Sequence, residues 1–195
     1  MSRRAELRER RHAEILTAAS SIIAERGFHQ TRLEDVGAAV GVSGPALYRY
    51  FKGKDDLLAE ILIDISIRLV DGARGVVSDG REQGWTDERV LHELLAYHVE
   101  FAVTESDRIR VQEREIRNLP TQEREKVRSL QRMYIGMWVD ALMAHRPDLD
   151  EDEARVRVQL AAGLINSSRH IVRWAGVEAV RTHTMDMALK AMEVS

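Results

Sequence analysis

Apolar side chains recur at helical spacing along nearly the whole chain. Between Ile15 and Ile23 they stand at i, i+3, i+4, i+7 and i+8, which predicts a helix from about residue 5 to 26 that Gly27 ends. Stretches of strictly alternating, β-branched residues are few, so strands are not expected. The chain is therefore predicted to be all-α, with about nine helices. The other eight are expected at about 31–40, 43–50, 55–71, 86–104, 107–118, 121–145, 150–174 and 177–192.

The second and third of these helices are short and closely spaced. Thr31 is a good N-cap with a glutamate three residues later, and Gly41 ends the helix that it opens. Ser43 is the predicted N-cap of the next helix, whose first turn contains a glycine and a proline. Proline is tolerated there because the first-turn N–H groups have no intrahelical partner. Two short helices joined by a tight glycine turn predict a helix-turn-helix motif.

Glycine and proline mark the expected breaks further along the chain. Four glycines, at positions 72, 75, 80 and 84, follow the predicted helix 55–71, so a loop or frayed helix end is expected there. Pro120 and Pro147 mark two later breaks, after which Thr121 and either Asp148 or Asp150 offer N-caps.

Composition restricts the class of protein. Hydrophobic residues make up 44% of the 195 positions and charged residues 31%, which is a globular balance. No apolar run approaches the roughly 20 residues that cross a bilayer, and the basic N-terminus lacks the apolar core of a secretory signal. A cytoplasmic protein without a membrane partner is therefore expected. The absence of cysteine excludes disulfides, thiolate zinc sites and thiol switches.

Charge is distributed unevenly along the chain. The formal net charge is only -3, yet five arginines stand within the first eleven residues, and Arg32, Arg49, Lys52 and Lys54 follow. The acidic excess therefore belongs to the rest of the chain. This asymmetry predicts a basic end that meets an anion and an acidic body that does not.

The patterns of common enzymes are missing. The chain has no glycine-rich phosphate loop, nucleophile elbow or HExxH. Its seven histidines do not pair at metal-ligand spacing, since His92 and His98, six residues apart, lie on different helix faces. We therefore predict a protein that is not an enzyme and has no metal or cofactor. The basic end and the helix-turn-helix motif favour a DNA-binding protein, and the alternative function is an all-helical adaptor that binds a partner protein without DNA specificity. DNA binding that weakens steeply with salt would discriminate against the adaptor.

The stretch VGAAVGVSGPALYRYFKGKDDLL, together with Thr31, is similar to the pattern A..GVS...LY.HF..K..LL of the TetR/AcrR family of transcriptional regulators. The resemblance covers about residues 10–60. It departs from the family at Val36-Gly37, where an Ile-Ala pair is usual, and at Tyr50, where many members have histidine. It implies a three-helix DNA-binding domain at 1–54, whose last helix leads into a linking helix and a ligand-binding and dimerisation domain at 55–195. The implied function is repression from a palindromic operator.

The resemblance also implies roles in DNA binding. The small residues 43–46 would lie against the floor of the major groove, and Arg49 would contact a base, most plausibly guanine. Tyr48, Lys52, Lys54 and Thr31 would hold phosphates. Leu47 and Phe51 are expected in the core, and Tyr50 is left open between core and contact. The predicted DNA-binding residues are Thr31, Arg32, Ser43, Gly44, Pro45, Ala46, Tyr48, Arg49, Lys52 and Lys54.

Two half-sites in successive major grooves call for a homodimer with two recognition helices. The last two long helices each have an apolar stripe suited to the dimer seam. The alternative is that part of each stripe packs inside its own subunit. The predicted interface residues are Val156, Leu160, Leu164, Ile171, Val180 and Leu189.

An effector site is expected between the later helices. His98 stands in an apolar stripe, where it is either a satisfied core residue or a ligand contact. Asn166, His170 and Arg173 recur at i, i+4 and i+7, which suits a pocket or an intersubunit salt bridge. The segment GLINSSRHIVRW resembles the eighth helix of actinobacterial members, several of which respond to acyl-CoA or lipid-like ligands. The predicted ligand-binding residues are His98, Phe101, Met133, Met137, Trp138, Asn166, Arg169, His170 and Arg173.

A small hydrophobic or acyl-CoA-like effector is therefore expected to release the DNA. It would do so by tilting the helix at 55–71 and changing the separation of the recognition helices, provided that it prefers that arrangement.

Overall fold

The computed structural model describes residues 3–193, and within that range it is all-helical with no strand, as predicted. The described chain contains ten α-helices and two short 3₁₀ turns, Ile116–Asn118 and Ser168–His170, joined by turns and loops. None of these helices is both long enough and apolar enough to cross a membrane. The helices are α1 Arg3–Arg26, α2 Leu33–Ala39, α3 Gly44–Leu47, α4 Lys54–Gln83, α5 Asp87–Thr104, α6 Ser106–Glu115, α7 Thr121–His145, α8 Glu151–Ser167, α9 Val172–Ala175 and α10 Val177–Met192.

The chain divides into two compact units. The first contains residues 1–65 and 110–127, and the second contains 66–109 and 128–195. The division into a DNA-binding domain at 1–54 and a ligand-binding and dimerisation domain at 55–195 stays a prediction, because the two units are defined by how the chain packs and not by what each part binds.

The first unit includes residues 110–127, from the middle of the chain, and the sequence pattern does not predict that this segment packs with the N-terminal helices. The buried carboxylate of Glu115, at the end of α6, accepts the backbone N–H of Phe28 at 3.4 Å. Arg114 donates to the carbonyl oxygen of Ala24 at 3.3 Å, near the C-terminus of α1, where a cation is favoured. The end of α6 therefore packs on the end of α1.

Helix α4 does not end near residue 71, so the predicted loop at the four glycines is wrong. A Cβ at Gly72 would lie 2.0 Å from Cζ of Tyr97, and a Cβ at Gly80 would lie 2.7 Å from Cγ2 of Val90. These two glycines let α5 side chains approach the backbone of α4. The helix ends at Gln83, and Gly84 follows it with a φ of 63°.

The predicted helix 150–174 is also interrupted. Asp150 is its N-cap and accepts the N–H of Glu153 at 2.8 Å, but α8 ends at Ser167 and gives way to a 3₁₀ turn and the short α9. Asn166, His170 and Arg173 therefore do not share one continuous helix face, and that prediction is wrong.

Candidate DNA-binding and effector sites

The turn between α2 and α3 is tight because of two glycines, Gly37 inside α2 and Gly41 in the turn itself. The N–H of Val42 donates to the carbonyl oxygen of Gly37 at 2.8 Å, and Gly41 has a φ of 67°. A Cβ at position 37 would lie 2.5 Å from the oxygen of Val42 and 3.0 Å from Cδ1 of Leu47. The departure from the family pattern at Gly37 therefore permits a close approach of backbone and side chain in this chain.

Helix α3 buries one side and exposes the other. Leu47 and Phe51 are buried, which confirms the prediction that they belong to the core. Pro45 and Arg49 are exposed, and Tyr48 is 56% exposed. Among the other predicted contacts, Ser43, Arg32 and Lys52 are exposed, while Gly44 and Ala46 are half-buried.

The recognition helix is shorter than predicted, since it ends at Leu47 rather than Tyr50. Arg49 stands in the turn that follows, where its N–H donates to Ala46 at 3.2 Å and that of Tyr50 donates to Leu47 at 2.8 Å. Ser43 occupies the N-cap position, but its hydroxyl makes no capping hydrogen bond. The backbone shape of this segment therefore does not depend on the Ser43 side chain.

Two predicted phosphate ligands are engaged elsewhere. Thr31 is only 2% exposed and donates its hydroxyl to the carbonyl oxygen of Gly27 at 2.9 Å, and α2 starts later, with Arg32 as N-cap. The prediction that Thr31 caps α2 and holds a phosphate is therefore wrong. The ammonium group of Lys54 lies 3.2 Å from the carbonyl oxygen of His29 and above a neighbouring phenyl ring.

A buried polar cluster joins three helices of the second unit. The ring of His98 on α5 lies 3.0 Å, through Nδ1, from the hydroxyl of Tyr134 on α7, and 3.1 Å, through Nε2, from Oδ1 of Asn166 on α8. The indole of Trp138 stands edge-on to the imidazole, with ring centroids 5.4 Å apart. His98, Tyr134 and Trp138 are all buried.

Burial decides the protonation state of this cluster. It lowers the pKa of His98 to about 4, against a smaller opposing effect of the Asn166 hydrogen bond, and it raises the pKa of Tyr134. Both groups are therefore neutral near pH 7. A neutral imidazole donates through Nε2 to the Asn166 oxygen and accepts the Tyr134 hydroxyl at Nδ1. Tyr134 is not among the predicted ligand-binding residues, although the sequence places it one helical turn before Trp138 on the wall expected to face His98.

The structure brings His98, Trp138 and Asn166 together, as the predicted site requires. Arg169 is adjacent and donates to the carbonyl oxygen of Asn166 at 2.8 Å, and Phe101 is buried on the same helix as His98.

The remaining predicted effector residues lie outside this cluster. Met133 is exposed, with its sulfur 3.0 Å from a guanidinium nitrogen of Arg74, and Met137 lines a groove of about 290 Å³ with Trp85. His170 is exposed, and so is Arg173, whose guanidinium lies 3.9 Å from the carboxylate of an aspartate in α6. These four positions therefore do not form one pocket with His98.

An apolar surface is exposed on α8, α9 and the start of α10. Leu160 is 69% exposed and Trp174 is 78% exposed. Val180 is only 2% exposed and packs inside its own unit, so its assignment to the dimer seam is wrong. The other predicted seam residues divide into the exposed Val156 and Ile171 and the half-buried Leu164 and Leu189.

Helix α3 exposes one side, follows α2 through a tight glycine turn and precedes an all-helical body. This arrangement is that of a helix-turn-helix regulator. The family model of bacterial regulatory proteins, tetR family, matches residues 15–61, and the model of tetracycline repressor-like C-terminal domains matches residues 84–191. The chain belongs to the TetR family of transcriptional regulators. Among residues 3–193, no group of three or more His, Asp or Glu side chains is placed to hold a metal ion.

Several regulatory proteins are similar to this chain in sequence or in fold. The fatty acid metabolism regulator protein of Bacillus subtilis is 23% identical over 80% of this chain and 77% of its own, and the transcriptional repressor KstR2 of Rhodococcus jostii is 26% identical over 84% and 79%. A TetR-family regulator from Bordetella parapertussis superimposes with a TM-score of 0.78 at 24% identity, over 91% of this chain and 93% of its own. FadR of Bacillus subtilis, solved with stearoyl-CoA, gives 0.68 at 20% identity, over 92% and 98%. The two structural likenesses concern the fold alone.

Proposed function

We propose that this regulator is a repressor that binds a palindromic operator as a homodimer and leaves it when a hydrophobic or acyl-CoA-like ligand binds. The observation that carries the DNA-binding part is the division of one short segment into a buried and an exposed side. Leu47 and Phe51 anchor the segment, while Pro45, Tyr48 and Arg49 are left on its surface.

This surface has the chemistry that an operator needs. The Arg49 side chain, unlike its backbone N–H, makes no hydrogen bond or ion pair with residues 3–193, so its guanidinium is available for a bidentate contact with guanine. Pro45 and Ala46 suit contact with a thymine methyl group. Tyr48, Lys52 and Arg32 are the proposed phosphate contacts, because they are exposed on the same unit and carry hydrogen-bond donors.

The homodimer is supported by the apolar surface of α8, α9 and α10. The subunit leaves Leu160 on α8 and Trp174 on α9, two large apolar side chains, mostly exposed, and a partner surface would cover them. A second copy, related by a two-fold axis, covers such a surface with its own equivalent. A dimer also presents two recognition helices to successive major grooves, about 34 to 36 Å apart.

The effector class is supported by the names of the relatives and by the chemistry of the second unit. FadR of Bacillus subtilis was solved with stearoyl-CoA, and a second relative is a fatty acid metabolism regulator. The cluster of His98, Tyr134 and Asn166 offers neutral polar atoms inside an apolar environment, which suits a long apolar ligand with one uncharged polar group. Release requires that the ligand prefer the conformation that does not bind DNA.

To test the DNA-binding proposal, fragments of the source genome that the protein binds are selected, and the operator is identified from their shared sequence. Arg49→Ala should weaken the selected operator by about 1 to 3 kcal/mol and relax one base position in each half-site. Lys52→Ala should weaken all sequences alike and lower the slope of log affinity against log salt by about one. Uniform losses for both variants would contradict these roles.

The dimer and the effector have separate tests. Sedimentation at micromolar concentration should give a dimer, and Leu160→Glu should give a monomer, since the interface would have to bury that charge. Gln159→Glu, at an exposed neighbouring position, is the control. Saturating stearoyl-CoA should lower operator affinity, and an unchanged affinity would refute this effector class while leaving the DNA-binding proposal intact.

A further inference from the structure

One imidazole in the first unit contacts two elements besides its own helix. Nε2 of His12, on α1, lies 2.6 Å from a carboxylate oxygen of Glu60 on α4. The same ring stacks on Phe51, with centroids 5.2 Å apart and planes 25° apart, and its centroid lies 6.3 Å from that of Tyr50. Helix α1, helix α4 and the turn after α3 therefore meet at His12.

This meeting point lies next to the residue that is proposed to contact bases. After α3 ends at Leu47, turn hydrogen bonds, among them that of the Phe51 N–H to the carbonyl oxygen of Leu47 at 3.0 Å, hold the backbone around Arg49. Its direction depends on the buried side chains on either side of it, Leu47 before and Phe51 after. Both side chains are held by the packed core, and one face of Phe51 is in addition covered by the imidazole of His12.

We propose that His12 and Glu60 are positioning residues for Arg49. Glu60 holds the imidazole by a hydrogen bond, and the imidazole supports Phe51 and Tyr50, so that the backbone of the turn aims the guanidinium of Arg49 at one base. The inference rests on the proposed role of Arg49 in DNA binding. It gives Tyr50 a part in this support rather than in the buried core.

The surroundings of the pair set the size of its effect. His12 and Glu60 line an open cleft of about 380 Å³ together with Arg8, Glu9 and Tyr50. The guanidinium of Arg8 lies 5.9 Å from the centroid of the Tyr50 ring. The His12 and Glu60 side chains are about one-third exposed, so water can replace part of their interaction. A moderate loss, rather than unfolding of the unit, is therefore expected when the pair is broken.

The first measurement separates specific from non-specific DNA binding. Glu60→Ala should weaken the selected operator about threefold, as expected for a partly exposed pair, and should leave the affinity for random DNA and its salt slope unchanged. Glu60→Gln keeps an acceptor oxygen for the imidazole and should restore part of the loss. Glu25→Ala removes a carboxylate from an exposed position of α1 and is the matched control for charge.

The second measurement is a double-mutant cycle. A positioning residue acts through the residue that it positions, so Glu60→Ala should have no further effect on operator affinity in an Arg49→Ala background. An equal loss in both backgrounds, or none in either, would overturn the positioning role. Arg49→Ala without any effect would instead overturn the proposed contact of Arg49 with a base. His12→Gln in the same cycle gives the same decision if Glu60→Ala does not fold.

Discussion

Replacing Gly72 by alanine is expected to destabilise the second unit, although the same change in most helix interiors is stabilising. Gly72 lies inside α4, and the ring of Tyr97 on α5 occupies the space where a Cβ would stand. The Tyr97 hydroxyl donates to the carbonyl oxygen of Arg68 at 2.9 Å, which holds the ring over the glycine. Gly75, three residues later, is exposed and has no atom within 4 Å of a Cβ position. The two glycines therefore form a matched pair in one helix.

The expected free energies follow from three contributions. Alanine is favoured over glycine in a helix interior by about 1 kcal/mol, and Gly75→Ala should gain about that amount. At Gly72 the new methyl group must displace the Tyr97 ring, at about 1 to 3 kcal/mol for overpacking and about 1 kcal/mol for the lost hydrogen bond. Gly72→Ala should therefore lower the free energy of unfolding by about 1 to 3 kcal/mol.

Urea denaturation followed by tryptophan fluorescence measures this difference. Trp85, Trp138 and Trp174 all lie in the second unit, so their fluorescence reports the unit that contains both glycines. Protein concentration must be the same in every experiment, because dimer formation would add a concentration-dependent contribution to stability. Equal slopes against urea concentration are needed before midpoints are compared.

A double-mutant cycle identifies the cause. If the Tyr97 ring is the obstacle, Gly72→Ala should become stabilising by about 1 kcal/mol in a Tyr97→Ala background. Gains of similar size at both glycines in the wild-type background would refute the close packing of α4 on Tyr97. Negligible changes at both positions would instead indicate that the segment after residue 71 is not a firmly packed helix.

Three further predictions concern other parts of the chain. Thr31→Val should lower the free energy of unfolding by about 1 kcal/mol, because it removes a buried hydrogen bond, without changing the salt slope of DNA binding; a smaller slope would restore the phosphate role. Burial lowers the pKa of His98 to about 4 in the folded protein, against about 6.5 when it is unfolded. The neutral imidazole therefore adds up to about 3 kcal/mol to the free energy of unfolding above pH 6.5, and this amount is lost as the pH falls toward 4. A curve of stability against pH for His98→Gln that runs parallel to that of the wild type would contradict this. Glu193→Ala should speed amide exchange in the last turn of α10, because its carboxylate pairs with Arg146 at the end of α7. Lys190→Ala should not, because Lys190, among the described residues, pairs only with Asp186 of the same helix.

The helix-turn-helix could be predicted because its signals are local. A glycine turn, a proline in the first turn of a helix and two apolar anchors four residues apart are all visible in one short stretch. The roles of Thr31 and Ser43 were predicted less well. A hydroxyl can cap a helix or bond to the preceding turn, and only the observed position of Gly27 shows that Thr31 does the second.

The effector site depends on which faces meet, and one sequence does not contain that information. The spacing of His98 placed it on an apolar face, but its partners Tyr134 and Asn166 are 36 and 68 residues away in the chain. His170 and Arg173 lost their expected alignment because α8 ends at Ser167.

By itself, the sequence determined the all-helical class, most helix boundaries and the helix-turn-helix, since each depends on hydrophobic periodicity and on capping or turn residues a few positions apart. Tertiary structure decided the properties that depend on distant segments. Packing against Tyr97 converted an apparent break at Gly72 into a contact between helices, and burial made Val180 part of its own unit. The physical reason is that periodicity identifies which side of a helix avoids water, whereas only the folded chain shows what covers it.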